Sequence, residues 1–227
     1  NLCSRINVQQ NILMDYPGLE LENFDKAVIW RKYIYMLIKK YINNNLLEVG
    51  AGIGSFTKNY EKKIGNLTLS ETDDSNFNLL TSKFKDKNNI KVINSFTSQI
   101  SETFNTILYL NVLEHIEKDV EEISQALKKL KPNGHLIILV PAHNELYGKF
   151  DKVIGHFKRY KTDFFKSLKL SNAKVIELYY LDSLGYLLYY LNKIFFKEEV
   201  YPTKLKIFLW DKLFTPFSII LDKLLYY

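Results

Sequence analysis

The stretch Leu46, Leu47, Glu48, Val49, Gly50, Ala51, Gly52, Ile53, Gly54 joins a short apolar run to a glycine-rich turn. Asn43, Asn44 and Asn45 set the run off from what precedes it, and the run ends at its first glycine, which reads as a strand opening into a loop. Glycines at the carboxyl end of a strand let backbone come close to a ligand. A dinucleotide turn carries its third glycine one position later, where this chain has Ser55, so the spacing is G-x-G-x-G and not G-x-G-x-x-G. Hydride transfer is disfavoured on that ground. Glu48, two residues ahead of Gly50, is equally foreign to a dinucleotide turn.

Outward from this turn, strands alternate with helices. Ala27, Trp30, Ile34, Leu37, Ile38 and Tyr41 recur at helical spacing between Glu22 and Ile42 and predict an amphipathic opening helix. A helix is expected from Gly54 to Lys63, a second strand over Leu67 to Ser70 ending at Glu71, and a helix over Asp74 to Phe84. Ile90 to Asn94 and Phe104 to Leu110 read as the third and fourth strands, Asp119 to Leu130 as a helix, and Lys131 to Gly134 as a turn. Leu136 to Val140 is apolar throughout, as in a parallel strand buried on both faces. The pattern specifies an α/β fold, a doubly wound, mostly parallel sheet. Thr162 is placed to cap a helix ending near Leu170, and Lys174 to Leu181 reads as a sixth strand.

With 227 residues, 47% apolar and 15% aromatic, the chain is globular rather than disordered, and a trimmed start is expected because it begins at Asn1. The single cysteine excludes a disulfide scaffold or a cysteine-rich zinc site and points to a reducing, cytoplasmic setting. No run of 18 uninterrupted apolar residues and no signal-peptide order is seen. The net charge of +6 comes from lysines spread along the chain with only three arginines, so no nucleic-acid partner is expected. The organisation expected is one domain over residues 1–183, opening with the amino-terminal helix, followed by a helical cap or interface segment over 184–227. That last segment holds 12 of the 33 aromatic residues. Its stripes are Leu184, Leu187, Leu188, Leu191, Ile194 and Phe195, then Leu205, Phe208, Leu209 and Leu213 before Pro216. Burial over the crevice, a dimer contact and a membrane-facing surface with basic lysines would all look alike here.

The glycine turn, Glu48, and Glu71 placed 19 residues beyond Gly52 resemble the cofactor site of class I S-adenosylmethionine-dependent methyltransferases. Asn105 to Ile116 is similar to the fourth-strand motif of that superfamily, and Lys131 to Leu136 to the turn before its fifth strand. The resemblance covers about residues 30 to 180. It implies a Rossmann-like methyltransferase fold with S-adenosyl-L-methionine as cofactor. Gly50, Ala51 and Gly52 would lie against the methionine part, with Glu48 holding the loop or the cofactor's amino group. Glu71 would accept both ribose hydroxyls, flanked by Thr72. Ser95 and Phe96 would cap the adenine, although Phe96 is equally suited to the core. The Asn111 carbonyl would receive the ammonium, with Val112 beneath the methionine chain. A seventh, antiparallel strand is expected of the superfamily, and either Lys206 to Trp210 supplies it or the chain stops short of it.

The polar connection Pro141 to Tyr160 leaves the fifth strand at the edge where ligands bind in open α/β sheets. Its order, Pro-Ala, Leu-Tyr-Gly, Asp, Gly-His-x-x-Arg-Tyr, resembles a bacterial subgroup often associated with cell-surface glycan assembly. The reading is methyl transfer to oxygen or nitrogen of a small, sugar-like or lipid-linked acceptor by in-line displacement, without a metal. His143 and His156 are the candidate catalytic bases, and Asn144, Tyr147 and Arg159 the candidate acceptor contacts. Asp151, His156 and Arg159 could equally form an ion-pair lock, and His115 a hydrogen bond fixing the turn after the fourth strand. A non-catalytic binding or adaptor protein with the same fold is the alternative. Peripheral contact with the inner membrane face and a homodimer are left open.

Overall fold

The structure is a computed structural model describing residues 19–170, 172–195 and 201–226. A five-stranded parallel sheet forms its centre, in the order β3-β2-β1-β4-β5. The strands are β1 (Leu46–Val49), β2 (Leu67–Ser70), β3 (Ile90–Ile93), β4 (Phe104–Leu110) and β5 (Leu130–Leu139). Side chains alternate across it. Leu46, Leu67, Leu69 and Leu108 pack on one face with Leu80 and Phe84 of helix α3 (Asp74–Phe84). Leu47, Val49, Ile107 and Tyr109 pack on the other with Ala126 of helix α4 (Asp119–Lys128). Both faces of β1 and β4 are thus covered, as in a parallel sheet between helices.

The ladder of β1 on β4, Leu46 opposite Thr106 through Val49 opposite Tyr109, sets the two strand ends beside each other. The order reverses at β1, so β1 and β4 flank the topological switch point where α/β sheets bind ligands.

Several expectations are corrected. The opening helix is broken into α1 (Leu19–Phe24) and α2 (Val28–Ile38), where Arg31 turns back to donate to the carbonyls of Phe24 and, by a shorter bond, Asp25. No α-helix forms over 54–63. A single 3-10 turn, Thr57–Asn59, stands there, with the Asn59 amide donating to the Phe56 carbonyl at 2.9 Å and Gly54 at φ +71°. Such local side-chain bonds compete with the helical ladder. Lys131 to Gly134 is a bulge inside β5 rather than a turn before it, with Asn133 at φ +60° and the register shifting between Phe104 and Thr106. After α5 (Lys149–Val153), helix α6 spans Thr162–Ser167 and is preceded by Lys161 at the cap, so Thr162 is its first residue.

Among the described residues the sixth and seventh strands are absent. Lys174 to Leu181 runs without a ladder, and Lys206 to Trp210 is helical. The carboxyl-terminal part comprises α7 (Ser183–Phe195), α8 (Lys204–Leu209), a π turn over Trp210–Phe214 and α9 (Thr215–Tyr226). Among the described residues no helix is long and apolar enough to cross a membrane.

Candidate active site

The loop after β1 adopts backbone that favours glycine. Gly50, Gly52 and Gly54 have φ of +62°, +55° and +71°. A Cβ on Gly50 would stand 2.7 Å from a Val112 methyl, so Val112 packs directly on the loop. Leu21 of α1 lies over Gly52, and Asp25 accepts from Ser55 Oγ at 2.6 Å and Lys58 Nζ at 2.9 Å, closing the amino-terminal segment onto the loop. Ala51 is buried and donates its N–H to the Ser70 carbonyl at 3.0 Å.

Two buried carboxylates hold this loop. Glu48 lies beneath it and accepts from Thr57 Oγ1 at 2.6 Å; burial pushes its pKa up to about 7. Of the two tasks considered for Glu48, the structure provides the loop contact. Glu71 accepts from Gly52 N–H at 2.7 Å through one oxygen and from Thr72 and Asp73 N–H, both at 2.9 Å, through the other. Burial raises its pKa, against the lowering effect of those three N–H groups. A carboxylate has about four lone-pair positions, so three are in use. Ser95 and Phe96 stand at the end of β3, where Ser70 Oγ donates to the Ser95 carbonyl. Phe96 is 59% exposed, which removes the core reading of that ring. Thr72 is also exposed. Asn111 is exposed at the end of β4 with φ +57°, its N–H fastened to the Leu139 carbonyl at 2.8 Å.

A cavity of about 290 Å³ opens at the carboxyl ends of β4 and β5. Asn111, Val140, His143, Arg159 and Tyr160 line it from the end of β4, the end of β5 and the connection that follows, and Tyr180, Tyr186 and Tyr189 line it from the later segment that leads into and through α7. His143 stacks on Tyr180 with ring centroids 4.6 Å apart, lies 4.4 Å from the Tyr186 ring, and sets Nδ1 3.2 Å from Glu145. The Arg159 guanidinium sits 4.7 Å above the Tyr189 ring. Trp30 and the tyrosines of 179–190 went unread as site residues. Their clustering, three tyrosines within Tyr186 to Tyr190, was the available signal.

The lock considered for the Pro141 to Tyr160 connection is present. Asp151 is fully buried and accepts from Gly148 N–H at 2.9 Å, His156 Nδ1 at 2.8 Å and Arg159 Nε at 2.9 Å. Burial alone would raise its pKa, and the His156 and Arg159 bonds hold it below the usual range. His156 is thereby corrected as an acceptor-facing base, because its other nitrogen points to Glu114 at 3.8 Å and the ring is not on the cavity wall. Asn144 and Tyr147 likewise brace the connection instead of lining the cavity. Arg159 N–H donates to Asn144 Oδ1 at 3.3 Å, and Tyr147 OH donates to the His156 carbonyl at 2.7 Å.

Burial pushes Glu114 up to about 8, while burial and then His156 push His115 down to about 4. Glu114, His115 and His156 bring ligand atoms within 4.8 Å of one another, the group of this kind among the described residues. One His156 nitrogen is engaged by Asp151, and the cluster is set apart from the cavity wall.

The family described as methyltransferase domain matches residues 24–184. An uncharacterized protein of Methanocaldococcus jannaschii is 29% identical over 186 residues, 78% of this chain and 83% of its own length. A ubiquinone biosynthesis O-methyltransferase of Rickettsia bellii is 31% identical over 115 residues, 47% of each chain. Among solved structures, a coclaurine N-methyltransferase bound to N-methylheliamine and S-adenosylhomocysteine aligns at TM-score 0.52 and 16% identity, over 63% of this chain and 48% of its own. The structure of a candidate methyltransferase from Bacillus halodurans aligns at 0.51 and 15% identity, over 59% and 64%. The chain thus spans about half the length of the Rickettsia and coclaurine enzymes.

Proposed function

This chain belongs to the methyltransferase-domain family, and we propose that, as an S-adenosylmethionine-dependent enzyme, it methylates an oxygen or nitrogen of a small, sugar-like or lipid-linked acceptor held in the aromatic cavity. The observation that carries this reading is the placement of the cavity at the ends of β4 and β5, with Asn111 in its wall and the glycine loop alongside. The loop residues fit the cofactor. Gly50 leaves a cradle that a Cβ would fill, Glu71 keeps an acceptor position open beside it, and Phe96 offers an uncovered ring at the next strand end. When bound, S-adenosylmethionine supplies an activated methyl group on its sulfonium.

The protein's own work is then positioning, water exclusion and proton handling. Tyr180, Tyr186 and Tyr189 give stacking faces suited to a sugar ring or amine, and shield the cavity from water. His143 is the base of this reading. With Glu145 on Nδ1, the proton sits there and Nε2 accepts the acceptor's proton. Arg159 contributes the remaining donors of its fork at the wall, which suits an acceptor carrying phosphate or carboxylate. Such acceptors fit the cell-surface glycan chemistry that the Pro141 to Tyr160 pattern resembles, and a peripheral place at the inner membrane face belongs to the same reading.

The test is incubation with methyl-labelled cofactor and a panel of sugar nucleotides, polyprenyl-linked sugars and simple amines. Label should enter one class, and His143→Ala should slow turnover by about 10²-fold or more while leaving cofactor affinity unchanged. Cofactor binding without label in any acceptor would favour the non-catalytic adaptor instead.

A further inference from the structure

The continuous helix made of α8, the π turn and α9 is inside out. Its polar side chains Asp211, Thr215, Ser218 and Asp222 are fully buried against the domain. Asp222 accepts from the N–H groups of Asp182 at 2.8 Å and Ser183 at 3.0 Å and from Tyr33 OH at 3.0 Å, while Asp211 accepts from Trp30 N–H at 2.9 Å. Ser218 donates to Asp182 at 2.6 Å. These bonds fasten the helix by its polar stripe, the reverse of an ordinary surface helix.

The opposite face is apolar and open. Leu205, Phe208, Leu213, Phe217, Ile220 and Leu224 are exposed, from 50% for Leu213 to 76% for Leu224. Leu205 and Leu224 are 19 residues apart. Five α-helical turns take about 18, and a π turn absorbs one residue more. The π turn therefore keeps the stripes of α8 and α9 on one face. Pro216, which has no N–H to donate one turn back, is the second residue after it.

Charge completes the pattern. Lys204, Lys206, Lys212 and Lys223 are exposed on this helix, whereas its two acids, Asp211 and Asp222, are both buried. Lys212 reaches Asp211 at 3.0 Å.

We infer that this face docks on an anionic lipid bilayer, with the helix lying in the plane of the interface and its lysines among the headgroups. A broad apolar stripe edged by cations suits that surface, whereas a second copy of the chain would oppose lysine to lysine. The helix is anchored to the domain by Asp211 and Asp222, so the contact is peripheral. Helix α7 links it to the proposed acceptor site, with Tyr186 and Tyr189 on the cavity wall and Leu187 and Ile194 exposed on the same helix. The docking face stands on the helix alone. Only its use in delivering a lipid-linked acceptor rests on the functional reading above.

The experiment is cosedimentation of the full chain with phosphatidylcholine vesicles, with and without phosphatidylglycerol, at low and high salt. Binding should require the anionic lipid and weaken with salt. Phe217→Glu with Ile220→Glu should lower the partition coefficient by at least about tenfold, and Lys204→Gln or Lys223→Gln by about fivefold each. Because all four side chains are exposed, melting temperature and cofactor affinity should stay at the wild-type values in these variants. No binding to the anionic vesicles, equal binding to neutral ones, or a dimer by light scattering that Phe217→Glu dissolves would overturn the inference. Loss of vesicle binding with methyl transfer to a water-soluble acceptor intact would leave the acceptor reading standing, so the two fail separately.

Discussion

Replacing Glu71 by Gln tests whether one carboxylate both shapes the glycine loop and receives the cofactor's ribose. In the folded protein its two oxygens take N–H groups from both sides, Gly52 at 2.7 Å and the Thr72 and Asp73 pair at 2.9 Å. Glutamine has one acceptor oxygen. Keeping that oxygen on the Thr72 and Asp73 pair turns the amide NH₂ toward the Gly52 N–H, donor against donor. One buried N–H left unsatisfied costs about 1–3 kcal/mol, and in a chain of this size each kcal/mol lowers the melting temperature by about 2–4 °C. A drop of about 6 °C is expected. Loss of the charged acceptor should in addition weaken S-adenosylmethionine by about 1.5–3 kcal/mol, roughly 10- to 150-fold in Kd. Calorimetry with S-adenosylhomocysteine and its 2′-deoxy analogue separates the two effects. Wild type should prefer the intact ribose, and Glu71→Gln should lose that preference. If the variant still discriminates between the two nucleosides as wild type does, the ribose is held elsewhere and Glu71 is a loop fastener only.

Gly50→Ala should cost about 2–4 kcal/mol, from the left-handed backbone and a Cβ 2.7 Å from Val112, and Val112→Ala in the same chain should recover the clash but not the backbone part; additive losses in denaturant titrations would show that the two side chains do not meet. Glu48 titrates at about 7 when folded against 4.5 unfolded, so its contribution to stability is fully present below pH 4.5 and lost as pH rises through 7, about 3 kcal/mol in all. Glu48→Gln, whose carbonyl still accepts from Thr57, should flatten the urea-midpoint curve over that window, and an unchanged slope refutes the assignment. Arg159→Lys keeps the charge but loses the Nε bond to Asp151 and the flat contact with Tyr189, so it should lower stability by about 1–3 kcal/mol and slow turnover, with cofactor Kd within about twofold. An unshifted melting temperature would exclude the lock.

The sheet was legible because local and tertiary preferences agree there. Leu46 to Val49, Leu67 to Ser70 and Phe104 to Leu110 each carry apolar residues on both faces or on the covered one and are almost wholly buried, and α3 begins at Asp74 under a side-chain cap in which Asp73 accepts from Asn76 N–H at 2.9 Å. Reading failed where tertiary demands override periodicity. Residues 54–63 have helical composition, yet Thr57 is drawn down to Glu48 and Tyr60 into the core, and the loop follows them. Lys174 to Leu181 is rich in strand-forming residues, but Leu178 to Leu181 are spent on the cavity wall, and Tyr180 OH accepts from Thr162 N–H at 3.2 Å. Of the candidate site residues, those fixed by backbone conformation, the glycines and Asn111, stand at the strand ends as expected. Those fixed only by side-chain partners did not follow their position in sequence. His156, Asn144 and Tyr147 turn into the lock, while His143, a few residues away, faces the cavity.

The carboxyl-terminal helix shows why a stripe in sequence does not say which way it faces. Leu205, Phe208, Leu209 and Leu213 mark an apolar face, and the usual inference sends such a face inward. The same segment carries a second stripe, Asp211, Thr215, Ser218 and Asp222, at spacings of four, three and four, equally helical. The choice between them was decided by partners remote in sequence. The N–H groups of Asp182 and Ser183, at the entry to α7, and of Trp30 in α2 need acceptors where the helix lies against them, and carboxylates satisfy several at once. A leucine at position 222 would fill that volume but strand four donors, the N–H groups of Asp182 and Ser183 and the hydroxyls of Ser183 and Tyr33, each at a cost comparable to what a buried leucine returns. Polar satisfaction therefore outweighs apolar burial on the inner side, and the leucines are left facing outward for whatever surface the protein meets.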